Sequence, residues 1–142
     1  MTQAPVPVRR PLARAALLPL GVLAGVGAAV AYVAAVDPHE PGHYPTCPFL
    51  ALTGLYCPGC GALRMVNSAA HGRFGEAFGS NPLTFLTLPV LGYLWARWLT
   101  LRARGEPMRS RLLSPGAIGA LLAVIVVYGV VRNLPFGQAL AP

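Results

Sequence analysis

Three cysteines are the residues of this chain with the clearest capacity for chemistry. Cys57 and Cys60 form a Cys-x-x-Cys motif within the run Cys-Pro-Gly-Cys-Gly, and Cys47 lies earlier in the same polar segment. Thiols at this spacing bind metal ions or exchange disulfides. Because an odd number of cysteines leaves one thiol over in any disulfide pairing, three interpretations remain open.

The first interpretation is a structural disulfide from Cys47 to Cys57 or Cys60, which an oxidising compartment favours. The second is a zinc site, in which the three thiolates and either His43 or His71 form a tetrahedral set. The third is thiol–disulfide exchange at Cys57 and Cys60, with Cys47 as a relay or resolving thiol. No thioredoxin-like βαβ pattern surrounds the motif, so these two cysteines are redox candidates only and no catalytic residue is assigned.

A short helix is predicted after the motif, since residues 61–70 contain no proline. If Pro58 occupied the first helical position, Cys57 would be the N-cap residue, where free backbone N–H groups and the helix dipole stabilise a thiolate. Four prolines break the segment before the motif, which favours an extended path there: Pro38, Pro41, Pro45 and Pro48.

Several polar residues near the motif are candidates for a structural role or for ligand contact. Besides the cysteines they are Arg64, Asn67, His71, Asn81 and Arg132. Arg64 either contacts an anionic ligand or headgroup or extends to the membrane interface. The chain has no paired carboxylates, Ser-His-Asp set, phosphate loop or HExxH motif. We therefore predict no enzymatic activity unless the cysteine pair exchanges disulfides.

The elements that must position these residues are apolar. Of the 142 residues 55% are hydrophobic and 11% are charged, which is too few to cover the surface of a soluble protein of this size. Apolar runs of roughly 18 residues or more with few or no charges cross a hydrocarbon core of ~30 Å and must be helical there. Three runs qualify, at about residues 15–36, 82–101 and 113–131.

The predicted fold is all-α and integral to the membrane, with about three transmembrane helices and a short interfacial or re-entrant helix after the motif. Residues 1–11 are predicted to be a flexible cytoplasmic N-terminus, 12–136 a single polytopic domain and 137–142 a C-terminal tail. Within the domain, 37–81 is an external segment and 102–112 a cytoplasmic loop.

Arginine placement predicts the orientation, because cytoplasmic loops carry the excess of basic residues. Eight arginines flank one side of the predicted spans: Arg9, Arg10, Arg14, Arg97, Arg102, Arg104, Arg109 and Arg111. The N-terminus is therefore predicted to be cytoplasmic, and the cysteine segment and C-terminus extracytoplasmic. Residues 9–31 also resemble a signal peptide. The net charge of +7 follows membrane topology, and we predict no nucleic-acid partner.

The motif and its surroundings resemble the bacterial membrane family called domain of unknown function 2752. The similar residues are Cys47-Pro48, Thr53-Gly54-Leu55-Tyr56-Cys57-Pro58-Gly59-Cys60-Gly61, Arg64, His71-Gly72-Arg73-Phe74, Ala77, Asn81-Pro82 and Arg132-Asn133-Leu134-Pro135. The resemblance covers roughly residues 44–136. It implies a short polytopic protein of the bacterial inner membrane and implies no activity.

The function favoured by the sequence is that of a small structural, binding or accessory membrane protein, whose extracytoplasmic Cys/Arg helix is stabilised by a disulfide or by a metal such as zinc. One alternative is a membrane thiol–disulfide oxidoreductase that uses Cys57 and Cys60. Another is an accessory subunit of a transporter or secretion complex. The expected partners are the lipid bilayer and either another membrane protein or further copies of this chain.

Overall fold

The structure, a computed structural model, describes residues 12–141, with side chains from residue 16 onward. The predicted flexible N-terminus, Arg9 and Arg10 lie outside the described residues, and so does the side chain of Arg14. The described chain contains helices and no strand, which confirms the all-α class. The helices are α1 Leu12–Ala35, α2 Pro48–Thr53, α3 Ala62–Ala70, α4 Phe74–Ser80, α5 Pro82–Arg104 and α6 Pro115–Val131, with 3-10 helices at Arg111–Leu113 and Pro135–Leu140.

The long helices α1, α5 and α6 lie at the three apolar runs. Within the described residues, α1 from Ala16 to Ala35 is the one helix long and apolar enough to cross a membrane by length and composition alone. Helix α6 is apolar but shorter, with 17 residues. Serine and asparagine caps begin two of these helices: Asn81 accepts from the backbone N–H of Thr84 at 3.0 Å, and Ser114 accepts from that of Ala117 at 3.2 Å.

Apolar side chains on the long helices point outward, whereas the most buried side chains are polar. Leu17 on α1 is 65% exposed and Val126 on α6 is 63% exposed. Most of the large side chains that are fully buried are polar, namely Arg132, Asn67, Asn81 and Ser68, and the others are Met65 and Pro19. The usual arrangement of a soluble protein, with leucine and valine inside, is reversed over these helices.

Helices α1 and α5 pack against each other and are joined by a side-chain hydrogen bond. The indole Nε1 of Trp95 on α5 donates to the backbone carbonyl of Pro19 on α1 at 3.0 Å. Pro19 is itself buried within α1. This bond fixes the register of the two helices at the end remote from the cysteines.

Trp95→Phe is expected to lower the free energy of unfolding by about 1 kcal/mol, because the Pro19 carbonyl loses its indole donor. Unfolding of the purified protein in detergent micelles, followed by circular dichroism, measures the change. Trp98→Phe is the matched control, since Trp98 faces the Arg102 guanidinium through its ring, at 5.9 Å, and Phe keeps an aromatic face there. Equal stability of the Trp95 variant and the unsubstituted protein would contradict the expectation.

Side chains from the segment between α1 and α5 bind the free carbonyls at the end of α1. Asn67 of α3 donates through Nδ2 to the Val33 carbonyl at 2.8 Å, and Tyr44 donates to the Val36 carbonyl at 3.1 Å. The last carbonyls of a helix lack intrahelical partners, so these bonds satisfy groups that would otherwise need water. The segment is thereby fastened onto the end of α1.

The short helix after the motif is present, but its start corrects one prediction. Helix α3 begins at Ala62 with Gly61 as its N-cap, so the assignment of Cys57 as N-cap is wrong. The reason is local: Gly61 has φ +84°, which ends any helix from Pro58. Residues 57–62 instead form successive turns, in which Cys60 N–H donates to the Cys57 carbonyl and Ala62 N–H to that of Gly59.

The chain beyond α6 folds back onto the end of that helix. The 3-10 helix Pro135–Leu140 includes residues that the sequence places in a tail, and Gly137 within it is buried. Gly137 lies directly against the backbone of Val131 and Arg132. The last turn of α6, which carries Arg132, is thus packed on its outer side.

Candidate metal centre

The structure brings the three cysteine sulfurs together at one end of the molecule. Cys57 Sγ lies 3.5 Å from Cys47 Sγ and 3.1 Å from Cys60 Sγ, and all three lie within 4.8 Å of one another. A disulfide requires about 2.05 Å, so the thiols are free. Zinc–sulfur bonds of about 2.3 Å place the sulfurs of a tetrahedral site about 3.8 Å apart, which lies inside the observed range.

Two local structures position the thiols. Cys47 is the N-cap residue of α2, and hydrogen bonding from the backbone N–H of Leu50, with a contribution from Cys57, lowers the pKa of its thiol. Cys57 and Cys60 lie on the turn before α3. Burial raises the pKa of the Cys60 thiol to about 12, and its contact with Cys57 acts in the same direction. The three thiols therefore differ in environment although they are neighbours.

The carbonyl side of the same turn is held by Arg132, at the end of α6. Its Nη1 donates to the carbonyls of Cys57 at 2.9 Å and Pro58 at 3.3 Å, and both terminal nitrogens donate to that of Cys60 at 3.2 Å. The guanidinium also lies 5.0 Å from the ring of Tyr128 and 5.9 Å from that of Tyr56. Arg132 is 1% exposed.

Two asparagines complete the hydrogen bonding of the turn. Asn81 donates through Nδ2 to the carbonyls of Pro58 and Cys60, both at 3.0 Å. Asn133 accepts from the Tyr56 N–H and donates to the Tyr56 carbonyl, both at 2.8 Å. Because the turn's carbonyls bind α5 and α6, its thiols are left to face the opposite side.

The thiols face an open cleft of about 590 Å³. Its walls come from the proline-rich segment 38–47, from Tyr56 and from Arg64. Arg64 is exposed, and its Nε lies 3.5 Å from the Pro38 carbonyl. His39 also lines the cleft and bonds to Asp37. A ligand of moderate size can therefore reach the sulfurs from outside.

The structure does not bring the two candidate histidines to the thiols. The group of metal-ligating side chains found in the described residues contains the three cysteines without His43 or His71. His43 lies 3.9 Å from Glu40 instead, and His71 Nδ1 lies 2.9 Å from the carbonyl of Asn67 in its own helix. Any fourth metal ligand therefore comes from elsewhere.

Of the other candidates, Asn81 and Arg132 contact the turn, whereas Asn67 fastens α3 to α1. Asn133, Tyr56 and Tyr128 also belong to the site but are not among the residues that the sequence predicts for it. Adjacent Arg132 and Asn133 at the end of an apolar run are the signal that could have identified Asn133, because polar residues at membrane depth are rare. The two tyrosines carry no such signal, since aromatic residues at helix ends are common.

Alkylation of the three thiols is expected to follow their environments. As the pH rises through 7 to 9, Cys47 should react first, because only the thiolate attacks and its pKa is lowered, while Cys60 should stay protonated and react last. Peptide mass spectrometry after timed iodoacetamide treatment of metal-free protein measures the order. In denatured protein all three should react alike, and equal rates for Cys47 and Cys60 in the folded protein would contradict the prediction.

Comparisons with known proteins agree with the resemblance in the sequence. The sequence model of a family described as "Protein of unknown function (DUF2752)" matches residues 47–95, which span the three cysteines, α2 to α4 and the first part of α5. No curated protein and no solved structure gives a significant match. The part of the chain that carries the thiol centre is therefore similar to the family of unknown function DUF2752.

Proposed function

We propose that this chain is a three-span protein of the bacterial inner membrane that binds one soft metal ion, such as zinc, at Cys47, Cys57 and Cys60 on the extracytoplasmic side. The observation that carries the proposal is the convergence of all three sulfurs within 4.8 Å. Soft thiolate ligands select ions of this class over calcium or magnesium.

The arrangement of the helices supports the membrane part of the proposal. Lipid is the natural surrounding for exposed leucine and valine on helices whose backbone is internally bonded. The end of α1, the start of α5 and the end of α6 meet around the thiols, as three successive antiparallel spans require. At about 25 Å, the 17 residues of α6 are short for a bilayer, and tilt of its neighbours or local thinning accommodates such a span.

Metal binding explains the third cysteine better than a disulfide does. A disulfide between any two of the thiols leaves the remaining one beside it without a role, whereas a metal ion uses all three. The turn is also fixed by Arg132, Asn81 and Asn133 before any ion arrives. A prearranged set of ligands costs less ordering when an ion binds.

A second function, thiol–disulfide exchange, is favoured by one observation. Cys57 Sγ and Cys60 Sγ are only 3.1 Å apart, and Cys47, with its lowered pKa, lies next to Cys57. A thiolate at Cys47 could attack a Cys57–Cys60 disulfide, forming a Cys47–Cys57 bond and releasing Cys60 as the thiol.

Native mass spectrometry of the full chain, purified in detergent without chelators, tests the two functions together. The metal proposal expects one ion per chain and three free thiols once the ion is removed. Metal-free protein with a disulfide at Cys57 and Cys60 would overturn it in favour of exchange chemistry. Labelling of intact cells with a membrane-impermeant maleimide, after brief chelation and reduction, tests the location. Labelling only after lysis would contradict the extracytoplasmic placement.

A further inference from the structure

Arg132 is a buried cation that no acidic side chain in residues 12–141 neutralises. The chain has four acids, and three of them pair with other residues: Asp37 with His39, Glu40 with His43 and Glu76 with Arg73. The fourth, Glu106, follows α5 at the opposite end, beside Trp98 and Arg102. The guanidinium therefore carries its charge among carbonyl dipoles and aromatic rings alone.

Burial of a charge without a counter-charge is costly, because its hydration is lost. The four hydrogen bonds to backbone carbonyls and the two tyrosine rings offset part of this cost. However, Nε of Arg132 is buried and has no hydrogen-bond partner among the described residues. The guanidinium binds the backbone carbonyls of Cys57 and Cys60, so two of the thiols that can become negative belong to residues in direct contact with it.

We propose that Arg132 is the counter-charge of the thiol centre, so that the centre is matched to a divalent soft ion held by all three thiolates. The inference rests on the proposed function and deepens it. On binding, the three thiols lose their protons to solvent and form three sulfur–metal bonds. The three thiolates and a divalent ion leave one negative charge, which the buried guanidinium of Arg132 balances, whereas Arg64 in the cleft wall is exposed and solvent screens its charge. With a monovalent ion, two thiolates are enough to balance the charges of the ion and of Arg132.

Arg132 is a positioning residue in this account, since it does not touch the ion. The effect of its charge must be separated from the effect of its hydrogen bonds to the turn. Arg132→Lys keeps the charge and loses the planar fork, whereas Arg132→Met keeps most of the volume and loses the charge. Cd²⁺ and Ag⁺ are suitable probes, because both are soft ions with a filled d shell and they differ by one charge.

The experiment counts the thiols that remain open to alkylation after one equivalent of ion has bound. In the unsubstituted protein we expect no thiol to remain open to alkylation with Cd²⁺ bound and one thiol to remain open with Ag⁺ bound. Arg132→Met should leave one thiol open with Cd²⁺, whereas Arg132→Lys should leave none. Mass spectrometry of the alkylated chain gives these counts directly, and circular dichroism shows whether each variant is folded.

Two results would overturn the counter-charge. One is full protection of three thiols by Cd²⁺ in folded Arg132→Met, and the other is the same loss of protection in the Lys and Met variants. If Arg132→Met does not fold, the unsubstituted protein alone still tests the proposal. Protection of all three thiols by a single Ag⁺ would contradict the proposed balance of charge between Arg132, the ion and the thiolates. Failure of the unsubstituted protein to bind Cd²⁺ at all would instead overturn the metal-binding function, and the counter-charge with it.

Discussion

Asn81→Leu is expected to lower the free energy of unfolding by about 3 kcal/mol, because one side chain serves both α5 and the cysteine turn. Its Nδ2 donates to the carbonyls of Pro58 and Cys60, and its Oδ1 caps α5 through the N–H of Thr84. Leucine has a similar branched shape and makes none of these bonds. Two carbonyls and a helix N–H would then be left in a buried position without this partner.

The same site offers a variant that separates the two roles. Asn81→Ser keeps a good N-cap but is too short to reach the turn, so we expect it to recover about 1 kcal/mol of the loss. Denaturant titration in micelles, followed by circular dichroism, compares the three proteins. Alkylation of Cys60 should accelerate in both variants, since the turn is released in both. Unchanged stability and unchanged Cys60 protection in Asn81→Leu would show that the turn is held without Asn81.

Gly137→Ala is expected to destabilise the end of α6 by about 3 kcal/mol, at the upper end of the cost of overpacking. A Cβ at this position would overlap the backbone carbonyl of Val131 and come within 3.2 Å of the Arg132 Cα. Backbone atoms cannot yield as a flexible side chain does. The last turn of α6 must move, and Arg132 must move with it away from the cysteine turn.

Gly119→Ala in the interior of α6 is the matched control, because a Cβ there meets nothing within 4 Å. Alanine within a helix is favoured over glycine by about 1 kcal/mol, so this control should be at least as stable as the unsubstituted protein. Thermal unfolding in micelles distinguishes the two variants. A Gly137→Ala protein with normal stability and a protected Cys60 would mean that the 3-10 helix does not hold Arg132 in place.

The sequence was informative where the structure depends on neighbours along the chain. The apolar runs and the proline-free residues after the motif predict helices, and the structure is all-α. Convergence of Cys57 and Cys60 follows from their spacing. All three interpretations of the cysteines gave Cys47 a part, and the structure places its sulfur beside that of Cys57.

The sequence failed where a single backbone torsion or a distant partner decides. The N-cap was assigned to Cys57 because Pro58 suits a first helical turn, but the left-handed conformation of Gly61 moves the start of α3 to Ala62. The contacts of the turn with Arg132 and Asn133 join residues more than 70 positions apart. No periodicity in the sequence encodes such a pairing. The histidines were proposed as ligands by residue type alone, and their positions in the fold set them apart.

These distant contacts also bear on how the protein is made. The cysteine turn emerges from the ribosome early, whereas Arg132 and Asn133, which hold its carbonyls together with Asn81, follow α6 and are synthesised more than 70 residues later. In the proposed topology the thiols reach an oxidising compartment during this interval, before the contacts with Arg132 and Asn133 have formed. Biogenesis is therefore the stage at which this centre is most vulnerable to mispaired disulfides, and a cell would gain most from a reductant or a metal supply at the moment of insertion.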